Sequence, residues 1–280
     1  MNTIQQKLKE YLKLKGYAKK TQKAYFSALR CFEDYYHKSP KQLGNIEVRN
    51  FLLHLIRINR ASSTLRIYYS ALSVVYKNIL NQPEVMLNIP MFKKDKKRLP
   101  VILSREEINK ILSVTTNKKH RAMIAVAYSS GLRVSEVVNL TVKDIDSDRL
   151  MLNIRKTKGG YDRSTILSKK TLHILREYYA IYRPNNFLFQ GKKNNLFADV
   201  QLTTRTIQRV FHQAKIAAGI TKDVSFHSLR HSFATHLIED GVNILFVQRL
   251  LGHALLKTTL IYLHTTSQSL SGINSPFDNF

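Results

Sequence analysis

The 280-residue chain has no tryptophan, one cysteine, six prolines, ten glycines and only 19 acidic residues. A single cysteine, Cys31, excludes an internal disulfide framework and any zinc site built on cysteine pairs, and it fits a reducing compartment. It falls on the apolar face of a predicted helix beside Ala28, Leu29 and Phe32, the place of a small core or boundary residue rather than a reactive thiol. No apolar run approaches the roughly 20 residues needed to cross a bilayer, and the polar start MNTIQQKLKE lacks the apolar centre of a secretory leader. The sequence therefore reads as a soluble cytoplasmic protein with no membrane partner. Internal repeats and low-complexity tracts are also missing, which excludes solenoid and array architectures.

The shortage of acids is the most informative deficit. Against 19 Asp and Glu stand 45 Lys and Arg, a formal net charge of +26 and a pI near 10.1. Such an excess calls for an anionic polymer or surface as partner, with nucleic acid first. It is spread along the chain: residues 1–100 hold 20 basic against 6 acidic residues, and residues 101–280 hold 25 against 13. Both parts are expected to touch the polyanion, as two halves of a clamp would.

Apolar spacing predicts four amphipathic helices in the first part. They cover residues 3–15, 20–37 (Ala24, Ala28, Phe32 and Tyr35 inward), 46–58, and a fourth starting behind Ser62 and Ser63. Lys19, Lys20, Lys23, Arg60 and Arg66 lie near helix starts and turns and are candidate phosphate contacts. Residues 93–100, KKDKKRLP, are too polar to pack. They read as a basic linker whose Lys93, Lys94, Lys96, Lys97 and Arg98 would follow a phosphate backbone. The second part opens on Ser104-x-x-Glu107, a capping box. The most apolar helix follows at 120–130, stopped by Gly131. Residues 149–155 and 162–167 read as strands of a hairpin tipped by Lys156 and Lys158. Helices are expected at 169–182, 203–218, 226–239 and 243–251, with a short strand possible at 187–189. The fold class is thus mainly α: a four-helix domain over 1–92, the linker, a mostly helical α/β domain with a small antiparallel sheet over 101–264, and a polar tail over 265–280.

The chemistry concentrates in VSFHSLRHSFATHLIEDGVNILFVQRLLGHALLKTTLIYLH, residues 224–264. His227 and Arg230 are three apart, on one face of a helix. His253 follows a glycine, and Tyr262 stands nine positions later. An arginine fork can grip two phosphate oxygens, two imidazoles can donate hydrogen bonds or move protons, and a phenol at the end of a short helix can attack. A zinc reading of His227, His231 and His236 lacks any cysteine or HExxH partner.

The order His-x-x-Arg, Leu-Gly-His, Tyr resembles the tyrosine recombinase (phage integrase) family, in a compact form like Xer recombinases or integrases of small mobile elements. The resemblance implies that Arg133 of GLRVSE is the first catalytic arginine with Glu136 as its acidic support, and Arg230 the second. It makes Lys158 the general acid to the leaving 5′-oxygen, with Lys156 a close alternative because the hairpin reads TKGGYDR rather than GKGNKER. It also implies that His227 handles the nucleophile's proton, that His253 donates to the phosphate, and that Tyr262 attacks. The implied function is site-specific DNA recombination through a 3′-phosphotyrosine and a Holliday junction, without metal, ATP or other cofactor. The implied partners are a duplex carrying a specific recombination site, three further protomers in a homotetramer on two duplexes, and a possible second recombinase or accessory protein. The competing readings are a non-catalytic DNA-binding protein on the same fold and a topoisomerase that relaxes DNA without exchanging strands.

Overall fold

The computed structural model describes residues 3–93, 99–155, 162–193 and 196–263. The chain divides into two compact units, Met1–Lys97 and Arg98–Phe280.

The N-terminal unit contains α1 (Thr3–Leu14), α2 (Lys19–Tyr36), α3 (Asn45–Arg57) and α4 (Ser62–Val74). Apolar residues at helical spacing turn inward: Ile4, Leu8 and Leu12 of α1 pack with Leu29 and Val75, and Phe32 packs with Val48, Phe51, Leu52 and Leu72. Cys31 is half-buried at the edge of the second cluster. Two expectations change in detail. Tyr35 is 43% exposed, and Tyr36 instead turns in, donating its hydroxyl to the Glu47 carbonyl at 2.8 Å. The fourth helix is not capped by a serine: Ala61 holds the N-cap position without a side-chain hydrogen bond, and Ser62 is already helical. After α4 a π-turn, Val75–Ile79, widens the helix and carries Tyr76 into the core, where its hydroxyl reaches the Pro40 and Leu43 carbonyls at 3.1 Å each. Lys19, Lys20, Lys23, Arg60 and Lys93 are exposed; Arg66 is half-buried. Lys94, Lys96, Lys97 and Arg98 lie outside the described residues.

The C-terminal unit starts with α5 (Arg105–Val114), where the expected capping box is present: Ser104 Oγ accepts from the Glu107 N–H, and Glu107 Oε2 accepts from the Ser104 N–H at 2.7 Å. Then come α6 (Lys118–Ser129) and the short α7 (Val134–Asn139). A three-stranded antiparallel sheet follows, in the order β1 (Ile145–Asp146), β2 (Met151–Ile154) and β3 (Arg163–Ile166). The central pairing sets Leu152 opposite Thr165 and Ile154 opposite Arg163. β2 begins two residues later than expected because Leu150 takes a left-handed conformation, φ 53°, which ends the extended run. Next are α8 (Lys169–Tyr182), a second hairpin of β4 (Gln190–Lys193) and β5 (Leu196–Gln201), and α9 (Thr204–Ala217). At 187–189 only Phe187 makes a single bridge, to Thr141, and the strand pair lies further on. The chain closes with α10 (Phe226–Glu239), α11 (Ile244–Leu251), α12 (Leu256–Thr259) and a 3-10 turn, Leu260–Tyr262.

Ten of the 14 residues of α10 are buried, so it is an interior helix rather than an amphipathic one. It packs against α6, α9, α11 and the 3-10 turn, which makes it the axis about which the polar site is arranged. Among the described residues no single helix is long and apolar enough to cross a membrane.

Candidate active site

Four stretches of chain, α10 among them, converge on one site. The first is the junction between α6 and α7. Gly131 takes φ +60°, and a β-carbon there would collide with the Phe233 ring, so the chain can reverse and approach α10 only with glycine at this point. Two residues later Arg133 stands at the N-cap of α7. Its backbone N–H donates to Glu136 Oε2 at 2.7 Å, and its Nη1 donates to Glu136 Oε1 at 2.8 Å.

The second is α10 itself. Arg230 is 1% exposed; its Nη1 donates to the Gly131 carbonyl at 2.7 Å and its Nη2 to the Leu251 carbonyl at 2.6 Å. Burial, then the charge of Arg133, depresses its pKa, while Glu136, 3.7 Å from Nη1, holds the charge in place. Such a group is fixed in the interior with its charge only partly compensated, the condition under which an added anion is bound strongly.

The third is β3. Arg163 forks onto Glu136, Nη1 to Oε1 at 2.7 Å and Nη2 to Oε2 at 3.0 Å, and its Nε donates to the Leu250 carbonyl at 2.8 Å. Thr165, two residues on, donates to the Ser130 carbonyl at 3.0 Å. Burial alone would raise the Glu136 pKa. The hydrogen bonds and charge of Arg163, the Arg133 N–H and the charge of Arg230 overcome it and bring the carboxyl down to about 2. Glu136 is therefore an ionised hub that orients three guanidinium groups.

The fourth is the end of the chain. α11 stops at Gly252, φ +61°, and the direction changes by 97° between α11 and the segment Leu256–Tyr262. His253 sits in this bend, with Nδ1 2.9 Å from Thr259 Oγ1 and its ring nearly parallel to that of Tyr262, centroids 6.4 Å apart. Burial, then Arg230, Arg133 and Arg163, lower its pKa to about 3, so it is neutral. Tyr262 ends the 3-10 turn and is 2% exposed, packed with Phe233, Ile238 and Leu251. Its ring is a core group, as an ordinary tyrosine's would be. Its hydroxyl, however, lies 2.9 Å from Nδ1 of His231. Burial raises the phenol pKa, while Arg230 and Arg133 oppose the rise.

Thus Arg133, Glu136, Arg230, His253 and Tyr262 are brought together, and His227 stands at the exposed rim with its ring edge against that of His231, 4.6 Å between centroids. Lys158 and Lys156 lie outside the described residues. The histidines of the zinc reading diverge: His231 meets Tyr262, whereas His236 meets Tyr128 Oη at 2.9 Å. Among the described residues no three His, Cys, Asp or Glu side chains could hold a metal ion. A cavity of about 630 Å³ between α5, α6 and α8 contains none of the site residues.

Sequence reasoning missed two members. Arg163 was legible as a charged residue two positions before Thr165 in an alternating strand, hence on its inner face. His231 lies four positions after His227 on the same helical face, and the zinc reading obscured its neighbour Tyr262.

A model described as the phage integrase family matches residues 102–269, and one described as the phage integrase N-terminal SAM-like domain matches residues 4–84. The chain belongs to the phage integrase family. It is a tyrosine recombinase of Xer-like or integrase type. Tyrosine recombinase XerA of Pyrococcus horikoshii is 33% identical over 264 residues, covering 93% of this chain and 88% of that protein. The tyrosine recombinase of Thermosipho africanus is 31% identical over 281 residues, covering 96% and 97%. Among solved structures, XerH site-specific recombinase bound to a palindromic difH substrate in a post-cleavage complex has a TM-score of 0.72 at 25% identity, over 92% of this chain and 80% of that one. A lambda integrase tetramer bound to a Holliday junction has a TM-score of 0.75 at 18% identity, over 97% and 79%, a likeness of fold alone.

Proposed function

We propose that this protein cuts and rejoins duplex DNA at a specific site by covalent catalysis at Tyr262. The Tyr262 oxygen attacks a backbone phosphate in line with the 5′-oxygen, forming a 3′-phosphotyrosine and releasing a 5′-hydroxyl that attacks the partner strand's phosphotyrosine. Because the ester bond energy is kept in the link, the cycle needs neither ATP nor a metal. Arg133 and Arg230 neutralise the nonbridging oxygens as charge builds, and Glu136 holds both guanidinium groups in register. His253 is neutral, and with Nδ1 engaged by Thr259 its remaining nitrogen is the one available to donate to the phosphate. His227, at the rim, matches the family position that helps manage the nucleophile's proton, and Lys158 protonates the leaving 5′-oxygen.

The observation that carries this reading is the convergence of a phenol hydroxyl, two guanidinium groups and a neutral imidazole from separate parts of the chain on one small site. A protein that only binds DNA would need the cations but not the buried hydroxyl among them. Two rounds of exchange through a Holliday junction, by four protomers on two duplexes, complete the reaction. The N-terminal unit and the basic segment 93–100 supply much of the DNA affinity, and residues 101–264 the chemistry. Incubation with nicked or suicide duplexes from the DNA flanking its own gene, in the presence of chelator, tests the reading. A covalent protein–DNA adduct formed without added metal supports it, and a requirement for magnesium or zinc rejects it.

A further inference from the structure

We infer that His231 is the base that takes the Tyr262 proton during strand cleavage, leaving His227 to contact the phosphate. This rests on the reading of Tyr262 as nucleophile. Three observations carry it. His231 Nδ1 and Tyr262 Oη are 2.9 Å apart, the distance at which a base abstracts a proton directly. His227, by contrast, is exposed and meets the edge of the His231 ring rather than completing the enclosure of the phenol. The pair is also held from both sides: His231 on a helix buried around most of its circumference, Tyr262 by a 3-10 turn packed on that helix.

The groups facing His231 are His227 and Arg230 from its own helix and Tyr262 from the turn packed against it, with His253 stacked beyond the phenol. Burial, then His227 and Arg230, bring the His231 pKa down to about 4, so the ring is neutral at physiological pH and can accept at Nδ1 with its proton on Nε2. A phosphodiester bound between the guanidinium groups would offset their field. The imidazole would then gain basicity only when substrate is present.

In the step, the Oη–P bond forms as the P–O5′ bond breaks, and the phenol proton passes to His231 Nδ1. The 5′-oxygen receives its proton from a separate acid, the role given to Lys158. In rejoining, a 5′-hydroxyl attacks phosphorus and gives its proton back to the acid that supplied it in cleavage, the Oη–P bond breaks, and the imidazolium returns its proton to Oη.

The test is His231→Asn, which keeps an acceptor near the Nδ1 position but has no basicity; His231→Gln carries the same test should Asn disturb the fold. With duplex affinity retained in a gel-shift assay, the rate of covalent adduct formation should fall roughly 10²–10⁴-fold. The residual rate should climb with pH toward the ionisation of the phenol, while the wild type is flat between about pH 6 and 8. A substrate with a 5′-bridging sulfur, whose leaving group needs no acid, should restore Lys158→Ala but not the His231 variant. Wild-type cleavage by the His231 variants, or their rescue by the sulfur substrate, would overturn the inference while the tyrosine mechanism stands. Persistence of the adduct in Tyr262→Phe would overturn that mechanism, and the assignment of His231 with it.

Discussion

Replacing Arg163 with alanine removes the residue that binds Glu136 most strongly, and the size of the effect follows from the geometry. The side chains of Arg163 and Glu136 are 8% and 5% exposed, so solvent screens their attraction little. The Glu136 carboxyl moves from an ordinary 4.5 to about 2, a difference of 2.5, which at 1.36 kcal/mol per unit amounts to about 3 kcal/mol. Because the folded pKa is depressed, this stability is fully present above about pH 4.5 and is lost as the pH falls through about 2. Arg133 and Arg230 remain in the variant and retain part of the shift. The lost bond to the Leu250 carbonyl and the empty space beside Gly252, whose β-carbon position is 2.7 Å from Arg163 Cδ, act in the other direction. A net loss of about 3 kcal/mol is expected, at the lower edge of the range for breaking a buried pair. In urea at pH 7, followed by circular dichroism, the transition of the C-terminal unit should move down by about 1–2 M. The gap from wild type should narrow between pH 5 and 3. Adduct formation should fall about 10²-fold, since Glu136, which orients Arg133, and the segment leading to His253 both lose the tether that Arg163 supplies. A midpoint within about 0.3 M of wild type, with unchanged cleavage, would refute the view of Glu136 as a hub held by Arg163.

Other substitutions probe separate links in the argument. Arg133→Lys or Arg230→Lys keeps the charge but loses the fork, and single-turnover cleavage should fall by roughly 10²–10³-fold with binding little changed. Gly131→Ala places a methyl group against Phe233 in a left-handed conformation; a loss of about 2 kcal/mol or more in unfolding free energy is expected, and a neutral effect would contradict the close approach of the α6–α7 junction to α10. Replacing the exposed Lys19, Lys20 and Lys23 together by alanine should flatten the salt dependence of duplex binding by up to about 0.9 in log K against log salt per lost phosphate contact. An unchanged slope would mean that these lysines are only a solvated surface.

Helices were legible because their apolar spacing and end signals agree: the expected 226–239 is the observed α10, and Ser104-x-x-Glu107 and Gly131 act where their types predict. Short strands were less legible. Gln190–Lys193 has almost no apolar content and is a strand only because Leu196–Gln201 pairs with it, a partner choice that local pattern does not encode. The site was legible as residue types in order, since phosphate chemistry demands arginine forks, imidazoles and a hydroxyl whatever the backbone does. The contacts among those residues were not. That Arg163 rather than solvent balances Glu136 depends on β3 folding against α7 and α11, and that His231 lies against the Tyr262 hydroxyl depends on the last turn folding onto α10, all far apart in sequence.

The central claim is that Tyr262 becomes bonded to DNA, and the sequence allows a direct measurement. No lysine or arginine stands between Lys257 and Phe280, so trypsin leaves Tyr262 on one peptide that begins at Thr258, and Tyr262 is the only tyrosine among residues 258–280. After trapping on a suicide duplex and digestion of protein and DNA, mass spectrometry should find that peptide carrying a 3′-linked nucleotide on Tyr262, and nothing of the kind from Tyr262→Phe. A nucleotide on any other residue, or an adduct that survives the phenylalanine substitution, would contradict the account.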